Sequence, residues 1–186
     1  KNLKVGPSPD WMVERLKAAG QRSINNLVDI SNYVLLEMGH PTHIFDYDKL
    51  DRKEILVRRA TKGEKLISLD EAEHELKETQ LLITDGKSPI ALAGVMGGLS
   101  SAVTEQTTTV LVESAYFNPI TIRKSAKSLQ MNTDASKRFE RGADPEGAEK
   151  GFWHVVALLQ ELADGELVSE MVDKYPLAVT QSSLTL

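Results

Sequence analysis

The spacing of apolar residues changes twice along this chain: helical at the start, strand-like in the middle and helical again towards the end. A first helix opens at Ser8-Pro9-Asp10, where Ser8 is placed to cap, Pro9 suits the first helical position and Gly20 closes the segment. A second helix is predicted over residues 23–38, with Leu27, Ile30, Val34 and Met38 on one face and Gly39 as its stop. Short β-branched or apolar runs at 55–59, 65–68, 81–84, 90–93 and 109–113 then read as strands punctuated by turns. Asp85-Gly86 is a hairpin turn, because glycine accepts positive φ at little cost. Asn118-Pro119 pairs a cap with a first-turn proline and predicts a helix to about residue 129, and Asp134 caps a short helix over 135–141. A long helix over 145–163 carries Phe152, Val155, Val156, Leu159 and Leu162 at helical spacing and ends at Gly165; a last strand is expected over 166–173. Helices at both ends of a central mixed or antiparallel strand block imply an α+β fold, since strands and helices do not alternate as in a doubly wound sheet. Residues 1–175 read as one unit of two interlocked subdomains, and 176–186 as a polar tail leading out of it.

Composition narrows the chemistry. At 186 residues and 41% hydrophobic, the chain can bury a core, which excludes global disorder. The absence of cysteine removes disulfides, thiol nucleophiles and thiolate metal sites. No apolar run reaches the roughly 18–20 residues that span a bilayer, and no charged segment leads into an apolar signal core. The chain starts without Met and ends in a polar stretch, so it is read as a piece of a longer polypeptide. The net charge of −5 argues against a general nucleic-acid coat, but its distribution is uneven. Between Pro119 and Gly142, Arg123, Lys124, Lys127, Lys137, Arg138 and Arg141 face only Asp134 and Glu140, which is either a solvated pair of helix faces or a phosphate-binding rim.

Candidate chemistry concentrates between residues 93 and 142. Ala93-Gly94-Val95-Met96-Gly97-Gly98 matches neither the dinucleotide fingerprint nor a P-loop, so its glycines serve a sharp turn or let backbone approach a small ligand. Glu113 leaves the apolar run Val110-Leu111-Val112, and a carboxylate there either reaches solvent or accepts specific hydrogen bonds. His40 and His43, followed by Asp46 and Asp48, invite metal ligation, yet Pro41 breaks any helix that would align them, which favours a loop histidine that hydrogen-bonds. His74 and His154 have no motif around them, and no serine lies in a nucleophile elbow.

Five phrases in order carry a resemblance: the run Arg22 to Val34 (Arg-Ser-Ile-Asn-Asn-Leu-Val-Asp-Ile-Ser-Asn-Tyr-Val), Gly39-His40-Pro41-Thr42-His43-Ile44-Phe45-Asp46, the glycine segment at 93–98, the run from Val110 to Pro119, and the run from Asn132 to Gly142. Together they resemble the B3/B4 region of the bacterial-type phenylalanyl-tRNA synthetase β subunit, over about residues 10–175. The resemblance implies an editing domain that hydrolyses tRNA(Phe) mischarged with tyrosine; the alternative is a non-catalytic tRNA-docking or architectural module of the same subunit. It implies Glu113 as the acceptor for the tyrosine hydroxyl, Gly97 and Gly98 as a wall that admits the ring, Ala135 as a small residue keeping the pocket open, and His43 with Thr133 at the ester. Arg22 would lie near the tRNA 3′ end, with Asn32 lining the site. The six basic residues from Arg123 to Arg141 would carry the tRNA. The implied partners are the acceptor end of tRNA(Phe), the α subunit and the remaining β-subunit domains of an (αβ)2 enzyme. The implied compartment is the cytoplasm, and no membrane is involved. No cofactor or metal is expected in this region, ATP and Mg2+ belonging to the parent's separate synthetic site. A metallohydrolase using His40 and His43, and a free-standing trans-editing protein, are the rivals.

Overall fold

The structure is a computed structural model and describes residues 1–177. Three helices make one layer: α1 (Asp10–Ala18), α2 (Asn26–Met38) and α5 (Gly147–Leu162). Their apolar faces enclose Met12, Leu16, Leu27, Ile30, Val34, Val155 and Leu159 in one core. None of the described helices is long and apolar enough to cross a membrane.

The second core is built on strands. β2 (Leu56–Arg59), β5 (Leu81–Thr84), β6 (Pro89–Leu92) and β7 (Met96–Gly97) form an antiparallel sheet in the order β2-β5-β6-β7. β3 (Lys65–Ile67) and β4 (Glu73–Glu75) make a separate hairpin. α3 (Pro119–Ser128) and α4 (Asp134–Phe139) close this half, where Leu82, Ile90, Leu92, Phe117, Ile122 and Phe139 are buried together. The α+β class expected from the sequence is what the structure has.

A two-stranded ribbon joins the halves. β1 (Thr42–Asp46) and β8 (Val110–Ser114) pair antiparallel, with His43 opposite Glu113 and Phe45 opposite Leu111. Side chains alternate across a strand, and here each face meets a different core. Ile44, Val110 and Val112 pack into the helical core, whereas Phe45 and Leu111 pack into the strand core. His43 and Glu113 share the Phe45 face.

Several expected boundaries move, for reasons of side-chain bonding. α1 starts at Asp10 with Pro9 before it; Ser8 does not cap but donates its hydroxyl to Asp29 at 2.6 Å. α2 begins at Asn26, not residue 23, because Ser23 and the Ile24 amide fold onto the Asp29 carboxylate while Asn25 caps the Val28 amide. Thr133, not Asp134, caps α4. β1, read as a loop, is a strand. The strand expected over 166–173 does not form: Glu166 bonds to the Lys1 backbone, and Leu167, Val168 and Val172 are exposed and pair with no strand among the described residues. The start of the polar tail at 176–177 is irregular, and the rest of it lies outside the described residues.

Candidate active site

The antiparallel register of β1 and β8 sets His43 directly across from Glu113, and directly opposed side chains have Cβ atoms roughly 5 Å apart. Phe45, two residues along on the same face, meets the His43 imidazole edge-on at 4.5 Å between ring centres and fixes its plane. The imidazole then lies on Gly97 of β7. A Cβ built on Gly97 would stand 2.5 Å from His43 Cε1, 2.8 Å from Nε2 and 3.0 Å from Leu69 Cδ1. The room left by the missing side chain is therefore taken by the histidine. Gly98 turns the other way: its Cβ would meet the Ile90 carbonyl at 2.6 Å, so its smallness serves β6–β7 packing and not the His43 face.

The N-terminus of α4 is tied to the same place. Thr133 donates its hydroxyl to the Val95 carbonyl at 2.8 Å and accepts from the Ser136 amide at 3.0 Å, inside a reciprocal capping box. Its proton is committed to the turn that leads into Gly97, so what Thr133 contributes is the placing of α4. Ala135, in the first turn of that helix, packs half-buried against the strand core. Gln21 donates to Asp134 at 2.5 Å and holds the α1–α2 loop, with the exposed Arg22, against α4. Asn32 is not brought to this face: it lies on α2, which covers the opposite, Ile44 side of the ribbon.

Of the expected basic rim, Arg123, Lys124 and Lys127 project from α3 and Arg141 follows α4, all exposed. Lys137 and Arg138 pair with Asp134 at 3.4 and 3.9 Å. The two histidines near Pro41 part company. His40 is buried between α5, where Gly147 and Gly151 leave room for its ring, and Phe139, away from the Gly97 seat of His43. Among the described residues no group of three or more histidine or carboxylate side chains is arranged to hold a metal. Two broad surface hollows lie off the ribbon face. One of about 490 Å3 sits between Met38 and Trp153, and one of about 410 Å3 borders Gln21 and Arg22.

Burial governs the charges. Glu113 is half-buried but hemmed in by protein, which pushes its carboxyl up to about 7; the same crowding pushes the His43 imidazole down to about 4. At neutral pH the site thus holds a neutral imidazole beside a carboxyl near its titration midpoint. The two shifts act on stability in opposite directions. Glu113 keeps its proton in the fold where an unfolded chain, near 4.5, releases it, so its contribution is present in acid and lost as pH rises through 7. His43 stays neutral in the fold where an unfolded chain, near 6.5, gains a proton, so its contribution is present above 6.5 and lost as pH falls through 4. Between pH 4.5 and 6.5 they offset one another. Glu113→Gln removes one side of that balance, and its stability relative to wild type falls on acidification across this window by up to about 1.4 kcal/mol per pH unit. Urea midpoints of both proteins at pH 4.5 and 6.5 measure this; parallel shifts in the two would contradict it.

Sequence reasoning missed Phe45 and the approach of Leu69 to Gly97. Phe45 was signalled by its position two residues after His43, but only once that segment is a strand; nothing in the sequence around Leu69 points to this site. Comparison with known proteins adds family to geometry. Residues 1–164 match the family model described as the B3/4 domain. The chain is 48% identical, over all 186 of its residues, to the phenylalanine–tRNA ligase beta subunit of Halalkalibacterium halodurans. It is 51% identical over 93% of its length to that of Geobacillus kaustophilus, and 50% identical over 94% to that of Protochlamydia amoebophila. It spans only 22–23% of the length of these relatives.

Proposed function

The chain belongs to the B3/4 domain family, and from that premise we propose that it hydrolyses the ester of tRNA(Phe) mischarged with tyrosine, as part of a phenylalanine–tRNA ligase β subunit. The observation that carries this is the pairing of Glu113 with His43 on one face of the ribbon, beside Gly97. A carboxylate is a strong acceptor for a phenol donor. An apolar pocket made for phenylalanine rejects an isostere with one added hydroxyl by only about a hundredfold, the magnitude found in other synthetases. A second site that hydrogen-bonds that hydroxyl discriminates in the opposite sense, because phenylalanine leaves the acceptor unpaired.

The ester is already activated, so the chemistry needs a positioned water and relief for the developing oxyanion. Water oxygen bonds to the carbonyl carbon, the bond from that carbon to the ribose oxygen breaks, and the proton ends on the ribose oxygen. His43, neutral at pH 7 and pinned by Phe45 and Gly97, orients the water or the ester; an imidazole with its pKa near 4 is too weak a base to be the main driver. A ribose hydroxyl or the substrate amine assists the proton transfer. Arg22 and the α3–α4 cations meet the acceptor-end phosphates, and Lys137 and Arg138 exchange Asp134 for phosphate as they do so.

The test is deacylation of Tyr-tRNA(Phe) beside Phe-tRNA(Phe) by this chain with EDTA present. Selective loss of tyrosine is expected. Binding of tRNA without hydrolysis of either ester would leave a docking module in place of a hydrolase, and sensitivity to the chelator would bring back a metal mechanism.

A further inference from the structure

We propose that Leu69, in the turn of the β3–β4 hairpin, is the apolar wall that meets the aromatic ring of the aminoacyl ester. This rests on the ester-hydrolase reading and adds to it a residue of the β3–β4 hairpin, an element apart from the ribbon, β7 and α4. Leu69 and His43 converge on one point: each has an atom within 3.0 Å of the position a Gly97 Cβ would occupy. The Leu69 amide donates to the Gly97 carbonyl at 3.0 Å, and Ser68 bridges to Gly98, so the hairpin is joined to β7 at the site itself. Yet Leu69 is 42% exposed. A large apolar side chain fixed beside the imidazole and left half open is suited to cover a flat apolar group, burial of which is its main source of binding energy.

The turn is held rigid for that purpose. Ser68, fully buried, shares its hydroxyl with Asp70, with the His74 ring at 2.9 Å and with the Ala72 carbonyl, while the Glu71 amide closes back on the Ser68 carbonyl. Serine, histidine and aspartate thus meet here, but Asp70 bonds the serine and not the imidazole, and the serine has no access to substrate. The cluster locks the turn and with it the position of Leu69.

A wall that touches the ring serves tyrosine and phenylalanine alike, which separates its signature from that of Glu113. The probes are amide-linked, non-hydrolysable tyrosyl- and phenylalanyl-adenosine, titrated against the whole chain. Leu69→Ala weakens both about tenfold, the scale of losing pocket methylenes, with their ratio unchanged, and Leu69→Met restores binding. Leu56→Ala is the control: that residue is equally open at 45% but lies on β2, at the far edge of the sheet from β7, and its loss leaves both Kd values as in wild type. If wild type binds the tyrosyl probe and hydrolyses Tyr-tRNA while Leu69→Ala matches it, the inference fails and the function stands. If wild type binds but does not hydrolyse, the ring wall is still decided by Leu69→Ala. Wild type that neither binds nor hydrolyses overturns both.

Discussion

Replacing Glu113 with alanine abolishes the preference for Tyr-tRNA over Phe-tRNA and leaves ester hydrolysis itself largely in place. On the proposed function the carboxylate contributes one hydrogen bond to a phenol, and hydrogen bonds to charged groups are worth roughly 1.5–3 kcal/mol. Their loss lowers the ratio of kcat/KM values for the two esters by about tenfold to a hundredfold. Because Glu113 sits across from His43 and makes no bond to it, phenylalanyl ester turnover changes far less than tyrosyl turnover. The ratio also depends on pH. With its carboxyl near 7, Glu113 becomes a better acceptor between pH 6 and 8, so selectivity for tyrosine rises across that range in wild type and is flat in the variant. Taking the ratio cancels the general increase of ester hydrolysis with pH. A variant that keeps full tyrosine preference would remove Glu113 from the recognition of the hydroxyl.

Gly97→Ala costs more than the removal of His43. The added methyl would stand 2.5 Å from the imidazole, closer than non-bonded carbons approach, and the ring cannot retreat along the ribbon because Phe45 lies edge-on against it. The imidazole is driven off its seat into the space the ester needs. Misplacement of a positioning group by about 1 Å costs on the order of a hundredfold, and obstruction adds to that. The fold tolerates the change, since the atoms nearest the new methyl are side-chain atoms of His43 and Leu69 and not backbone. The decisive comparison is the double variant. In a His43→Ala background the methyl enters vacated space, so Gly97→Ala with His43→Ala deacylates Tyr-tRNA faster than Gly97→Ala alone. Such a reversal is the mark of two residues in contact. A double variant no better than the single would show that the glycine acts in some other way than as the seat of the histidine.

How much of this could be read from the chain depends on how far apart the interacting atoms lie in sequence. The Asn118-Pro119 start of α3, the Asp85-Gly86 hairpin and the apolar stripe of α5 were all visible, because caps, turns and helical faces are decided within a few residues. The errors were of the same short range: Thr133 took the cap from Asp134, and Asp29 drew Ser23 and Ile24 out of a helix. β1 went unseen for a different reason. Both faces of Thr42–Asp46 are covered, one by the helical core and one by the strand core, so the segment shows no simple apolar–polar alternation, and among the described residues it pairs with β8 alone, about seventy residues on.

The sequence by itself determined the α+β class, the family and the identity of Glu113, His43 and Gly97 as candidates. Each is a matter of composition, local pattern or ordered motifs. It did not determine that the glutamate faces the histidine, that the histidine fills the place of the glycine's side chain, or that a hairpin leucine closes on both. Those facts follow from strand register, and register is set by which of two cores each face of a ribbon must fill, so only the folded chain decides them.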